Sequence, residues 1–196
     1  ETYGRLSAQG VTFLAPPHAK SFKMTLTVPG LDHLPITGKV VRVDKKGETF
    51  NVGDVTIAVG ATDHRPVEPS IGFRLSAGDL SVVLAGDGVP CDSLDELTRG
   101  ATAYVQTVIR DDIVKLIPNQ RFQDILDYHS TVAQAAETAE RAQVEYLVLT
   151  HYVPPPSAAD EAAWRELASP YSGVTVLGDD LSSIDLATKT VSATLA

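Results

Sequence analysis

The chain has five histidines, His18, His33, His64, His129 and His151. Two of them share a local setting with one carboxylate. His64 follows the β-rich run 55–62 (VTIAVGAT), His151 follows the run 144–150, and Asp87 follows the apolar run 81–85 inside AGDGVPCD. Each is expected just past the C-terminal end of a strand. In α/β sheets that edge gathers ligands, because the chain leaves a rigid strand there and enters an adaptable loop. Two imidazoles and a carboxylate delivered to one edge suit a zinc ion, which accepts nitrogen and oxygen donors. A lone aspartate after a strand is more often a turn former, and a lone histidine a solvated loop residue. The joint pattern, not any single residue, points to metal.

The elements that must position these groups can be read from periodicity and capping. Strands are expected over Lys39–Val43, Val55–Thr62, Ile71–Leu75, Ser81–Ala85, Ala103–Ile109, Val144–Thr150 and Gly173–Leu177. Shorter ones are expected at Val11–Leu14 and Met24–Val28, and Gly47 and Gly53 mark turns around another. Helices are expected over Asp92–Arg99, with Ser93 as N-cap and Gly100 as the residue after the C-cap, and over Gln120–Tyr128, Thr131–Gln143 and Ala158–Leu167. Strands that feed helices in this order predict an α/β sandwich in a single domain.

At this point whole strings become familiar. Asp63–Arg74 (DHRPVEPSIGFR) resembles the H-x-x-P…G-Y-R segment of ribonuclease Z-like proteins. Ser81–Asp92 (SVVLAGDGVPCD) resembles their S-V-V-x-S-G-D-T-x-P-x-D segment, His129-Ser130-Thr131 their H-S-T loop, and Leu147–His151 their L-V-L-T-H strand. These motifs occur in the family's order across about residues 39–185. The chain therefore resembles the later half of a metallo-β-lactamase superfamily hydrolase of the ribonuclease Z and arylsulfatase-like branch. The resemblance implies the α/β class, as the later half of an αββα metallo-β-lactamase sandwich. It also implies roles: His64 on a first zinc, Asp87 bridging two zincs, His151 on the second. His129 would contact the scissile group and protonate the leaving oxygen. A zinc-bound hydroxide would attack a phosphodiester or sulfate ester.

Three features depart from the family pattern. Its H-x-H-x-D-H string, which carries most of the metal ligands, is absent from residues 1–196, and His18 and His33 stand alone. The expectation is one partial domain over 1–196. Where relatives have L-V-H-E, this chain has Tyr104-Val105-Gln106-Thr107, so two ionisable groups are lost. Gly88 replaces the threonine that follows the bridging aspartate. These departures keep a second reading open, a catalytically degenerate protein that uses the fold for binding or assembly. A third reading is a lactone or thioester hydrolase.

Bulk composition narrows the partners. Sixteen Lys and Arg against 25 Asp and Glu give a formal charge of −9. That opposes non-specific binding to nucleic acid, which depends on cationic side chains at phosphates. It does not exclude an enzyme of phosphodiesters, because a bound cation can dominate the local field. The expected substrate is a small ester or nucleotide-like molecule, or RNA. No membrane association is expected, a homodimer is allowed, and a cytoplasmic setting is the default. The lone Cys91 rules out an internal disulfide and a cysteine zinc cage. Trp164 and Tyr171 read as core residues, Asp179, Asp180 and Asp185 as a solvated turn, Pro154–Pro156 as a stiff turn, and Ser130 or Thr131 as a helix cap.

Overall fold

In the computed structural model, residues 48–192 are described throughout, together with the backbone of four earlier strands, β1 (Arg5–Ser7), β2 (Gly10–Thr12), β3 (Ser21–Leu26) and β4 (Leu34–Lys39). His18, His33, Gly47 and residues 40–43 of the expected strand Lys39–Val43 lie outside the described residues. The chain forms two compact units, Glu1–Arg42 and Val43–Ala196. In the first, β1 pairs with β2 and β3 with β4, both antiparallel.

The second unit is built on one seven-stranded sheet. Its strands are β5 (Glu48–Val52), β6 (Val55–Thr62), β7 (Ser70–Ala77), β8 (Leu80–Leu84), β9 (Ala103–Ile109), β10 (Tyr146–Val153) and β11 (Val174–Leu177). They lie in the order β11-β10-β9-β8-β7-β6-β5. From β5 to β8 neighbours are antiparallel, joined between β5 and β6 and between β7 and β8 by tight turns at Gly53-Asp54 and Gly78-Asp79. From β8 to β11 they are parallel. Parallel pairing needs a long crossover, and helices supply it between these strands. Two antiparallel steps leave β6 and β8 pointing the same way, so β6, β8, β9 and β10 all finish at one edge of the sheet. A β12–β13 hairpin (Ser183–Asp185 with Thr190–Ser192) follows.

The helices are α1 (Asp92–Thr98), α2 (Asp111–Val114), α3 (Gln120–Asp124), α4 (Val132–Ala142) and α5 (Glu161–Leu167). The main core lies between α1, α4, α5 and alternate residues of the parallel strands, with Val83, Tyr104, Leu147, Leu149 and Trp164 all fully buried. Alternation by two turns Ala103, Tyr146 and Val176 to the opposite face, where they pack with Ile184 and Leu186. Helix α4 starts with a complete capping box. Thr131 accepts from the Gln134 amide while the Gln134 side chain accepts from the Thr131 amide. Arg74, from the G-F-R string, donates to the carbonyls of Leu97, Arg99 and Gly100 and so closes the C-terminal end of α1.

Several boundaries differ from expectation. Ser93 is not an N-cap: α1 starts at Asp92 with Cys91 in the cap position, and the Ser93 hydroxyl donates to the Ala61 carbonyl at 2.5 Å, tying α1 to β6. The expected helix Gln120–Tyr128 is α3 followed by a tighter 3-10 turn, Ile125–Asp127. Helix α2 was not expected; four residues are too few to show periodicity. Among the described residues no helix is long and apolar enough to cross a membrane.

Candidate metal centre

Four side chains meet beyond the shared sheet edge. His64 stands at the end of β6, Asp87 in the loop after β8, and His129 in the loop between the 3-10 turn and α4. One potential ligand atom from each of these three lies within 4.8 Å of the others, the one such group among the described residues. The His64 and His129 rings meet edge to face, with centroids 5.0 Å apart. His151 approaches from β10, its Nε2 3.9 Å from Asp87 Oδ1, whereas His129 Nε2 is 3.8 Å from Asp87 Oδ2. Each carboxylate oxygen therefore faces a different imidazole. The sequence-stated trio was His64, Asp87 and His151. The structure brings His129 into the tight group with His64 and Asp87, while His151 lies outside that group with its Nε2 3.9 Å from Asp87 Oδ1.

Backbone carbonyls orient two of the rings. His64 Nδ1 is 2.8 Å from the Tyr128 carbonyl, and His129 Nδ1 is 3.2 Å from the Ile125 carbonyl. A carbonyl only accepts, so each Nδ1 carries the proton and each Nε2 keeps its lone pair. This is the arrangement that prepares an imidazole to bind metal. The 3-10 turn matters here because it supplies the Ile125 carbonyl and ends at Tyr128. Burial is the main force pushing the His129 pKa below its ordinary 6.5; the nearby Asp87 charge opposes it. A neutral His129 is thereby favoured near neutral pH.

His151 reaches the site through an irregularity. The β9–β10 register shifts between Thr150 and Val153, and His151 has a left-handed backbone with φ of 46°. A bulge of this kind re-aims one side chain at a sheet edge, and His is among the residues that tolerate the conformation. The His151 side chain remains 65% exposed, whereas His129 is 13% exposed.

The Asp87 loop is pinned on both flanks. On one side, the Gly86 carbonyl accepts from Gln106 Nε2 at 3.1 Å and from Thr107 Oγ1 at 3.0 Å. On the other, the Gly88 carbonyl accepts from the buried Ser130 hydroxyl at 2.7 Å. Ser130 is thus not a cap, and Thr131 takes that role. Gly88 has φ of 152°, and a Cβ there would stand 2.7 Å from the Asp63 carbonyl oxygen, which also accepts from the Val89 amide at 2.8 Å. The small residue lets the Asp87 loop lie against the strand end that carries His64. Asp63 itself pairs with Arg65, and hydrogen bonding from that side chain is the chief force holding the Asp63 carboxyl below its ordinary range.

The side chains gathered here fit a metal ion such as zinc: imidazole nitrogens from His64, His129 and His151 around the single Asp87 carboxylate, more nitrogen donors than one ion needs from this group. Beside it lies a cavity of about 300 Å³ lined by Arg121, Phe122, Ile125 and Val153. The remaining sequence candidates have structural roles. Trp164 is fully buried, with the Tyr152 ring at 5.0 Å and the Arg110 guanidinium over its face. Tyr171 is buried and donates to the Val144 carbonyl. Asp185 accepts from the Ala187 and Thr188 amides in the β12–β13 turn, and Asp180 donates its amide to Asp179.

The chain is 55% identical over 141 residues to ribonuclease Z of Mycobacterium tuberculosis (strain ATCC 25618 / H37Rv), covering 71% of this chain and 52% of that protein. It is 55% identical over 147 residues to ribonuclease Z of Mycobacterium avium (strain 104), covering 74% and 52%. The chain thus spans about half the length of these curated relatives. Among solved structures, the metallo-β-lactamase fold protein YhfI from Bacillus subtilis superposes with a TM-score of 0.51 at 22% identity, over 65% of this chain and 47% of that one. No protein-family model matches the chain. The large mixed sheet with its helices is the corresponding part of a metallo-β-lactamase fold, and over the aligned residues the chain is similar in sequence to ribonuclease Z.

Proposed function

We propose that this chain is the later part of a metal-dependent phosphodiesterase that cleaves RNA. The observation that carries the reading is the convergence of His64, Asp87 and His129 to within 4.8 Å, with His151 3.9 Å from the same carboxylate. In this reading His64, Asp87 and His151 would hold zinc, Asp87 would be shared between two ions, and His129 would stand beside the metal and not on it. The two Asp87 oxygens, each facing its own imidazole, support that bridging role. Zinc held by these residues would supply Lewis-acid polarisation of the ester and an activated water near neutral pH. The chain spans about half the length of its ribonuclease Z relatives, so the activity of a whole protein is a proposal.

His129 is the general acid. It is mostly buried, its Nδ1 proton is committed to the Ile125 carbonyl, and its Nε2 faces the carboxylate. In the doubly protonated ring, which the Asp87 charge favours and burial opposes, that nitrogen would carry the proton to the departing oxygen. The cavity beside it offers an aromatic ring, Phe122, and a guanidinium, Arg121, the groups that suit a nucleobase and a phosphate.

The test is hydrolysis by the full-length protein, with zinc and after chelation, of an RNA with a 3′ extension, bis-p-nitrophenyl phosphate and p-nitrophenyl sulfate. Zinc-dependent cleavage of the phosphodiesters, with sulfate turned over at least about 100-fold more slowly, supports the reading. Preferential turnover of the sulfate ester moves the assignment to the arylsulfatase-like alternative. Zinc-free protein without turnover moves it to the degenerate one.

A further inference from the structure

Gln106 and Thr107 lie on β9 and turn their side-chain donors toward the Gly86 carbonyl, next to Asp87. Gln106 is 1% exposed, at the C-terminal half of β9. Its amide is satisfied on both sides. Oε1 accepts from the Tyr104 hydroxyl at 2.5 Å, and Nε2 donates to the Gly86 carbonyl at 3.1 Å and to the Thr107 carbonyl at 3.0 Å. Tyr104 is itself fully buried, so the chain Tyr104–Gln106–Gly86 begins in the core and ends one residue before Asp87. The Thr107 hydroxyl reinforces it by donating to the same Gly86 carbonyl.

We propose that Gln106, anchored by Tyr104 and assisted by Thr107, is a positioning residue that sets the Asp87 carboxylate between its imidazoles; this rests on the metal-site reading above. Three considerations carry the argument. A carbonyl has two lone pairs, and at Gly86 both are taken by side chains of one strand, which fixes the peptide plane that leads into Asp87. Gly86 and Gly88 flank the carboxylate and both have positive φ, so neither neighbour of Asp87 has a side chain to hold the loop in place. The hydrogen bonds run through a buried region, where a satisfied polar network fixes one geometry and a broken one is costly. The partners that orient metal ligands commonly tune metal affinity by about 10–100-fold when removed. The neutral pair here performs that service without a charge.

The experiment compares four proteins: the unsubstituted chain, Tyr104→Phe/Gln106→Met, Thr107→Val, and Tyr171→Phe. The double variant removes both partners of the 2.5 Å hydrogen bond, so that no buried hydroxyl is stranded. Tyr171→Phe removes a buried hydrogen bond to Val144, remote from Asp87, and controls for general loosening. Cobalt(II) affinity is read by titration of its visible absorption, and Asp87 backbone order by ¹⁵N relaxation of the metal-free chain. The expectation is about 10–100-fold weaker cobalt binding in the double variant, a smaller loss in Thr107→Val, and none in Tyr171→Phe. The Asp87 and Gly88 amides should show lower order parameters in the double variant only. Unchanged order parameters at Asp87 in a folded double variant overturn the positioning role. If the unsubstituted chain binds no cobalt, the metal reading fails, while the relaxation arm still decides whether Gln106 positions Asp87.

Discussion

The hydroxyl of Ser130 donates to the carbonyl of Gly88 at 2.7 Å and fastens the loop that presents His129 to the loop that presents Asp87. The two loops come from different crossovers, before α1 and before α4, and the bond between them is buried. Ser130→Ala should strand the Gly88 carbonyl and cost about 1–3 kcal/mol of stability. Urea unfolding checks the cost. Zinc titration should show a parallel loss of affinity, because the His129-to-Asp87 spacing is no longer held.

Gly88 should not accept the family's threonine. A Cβ at that position meets the Asp63 carbonyl oxygen at 2.7 Å, and the backbone φ of 152° disfavours any L side chain. Gly88→Thr and Gly88→Ala are both expected to destabilise by about 1–3 kcal/mol, the usual cost of a strained backbone position. They should also weaken metal binding by pushing the Asp87 loop away from His64. A Gly88→Thr protein as stable as the original would show that the loop takes another path.

Asp87→Asn keeps the shape of the side chain but removes the charge and one acceptor. Zinc affinity should fall by at least about 100-fold if Asp87 spans two ions, because an amide offers one oxygen where the carboxylate offered two. His151→Ala should cost less. Its ring is the most exposed of the three histidines at the site. Isothermal titration of zinc into each variant ranks the two.

Acid should reveal the Arg110–Asp112 pair. Hydrogen bonding to Arg110 is the main cause that holds the Asp112 carboxyl below its ordinary 3.8. The folded chain thus holds this proton more weakly than the unfolded chain does. The pair's contribution to stability is present above about pH 3.8 and is lost as pH falls through the lower folded value. Asp112→Asn should therefore lower the thermal midpoint at pH 5, and the difference from the original should close toward pH 2. A difference that persists at pH 2 would place the effect in packing against Arg110 rather than in charge.

Trp164 supports the site from a distance. It is fully buried between α5 and the sheet, against Tyr152, the residue that follows His151. Trp164→Ala should cost about 3–5 kcal/mol, in the range for emptying a large core side chain. Calorimetric unfolding measures it. A loss under 1 kcal/mol would mean that the site around it collapses to fill the space.

The placement of His64, Asp87 and His151 at one edge was legible in the sequence, because each follows a short β-branched run and strands of an α/β sheet finish on a common side. The 3.6-residue pattern and the Thr131 cap likewise marked α4 nearly to the residue. His129 was named as a residue at the site, but its closeness to His64 and Asp87 was not legible. It rides on an irregular loop whose position depends on the Tyr128 and Ile125 carbonyls and on the Ser130 bond, and none of these leaves a periodic trace. Gln106 and Thr107 read only as lost ionisable groups. Their function as donors to Gly86 depends on β9 lying beside β8, a contact between residues 20 and 21 positions apart. Local propensity and donor chemistry therefore determined which groups could bind a cation and which sheet edge would carry them. The tertiary packing of parallel neighbours, with the bulge at His151, decided which of those groups touch, because hydrogen bonds between distant loops have no signature along the chain.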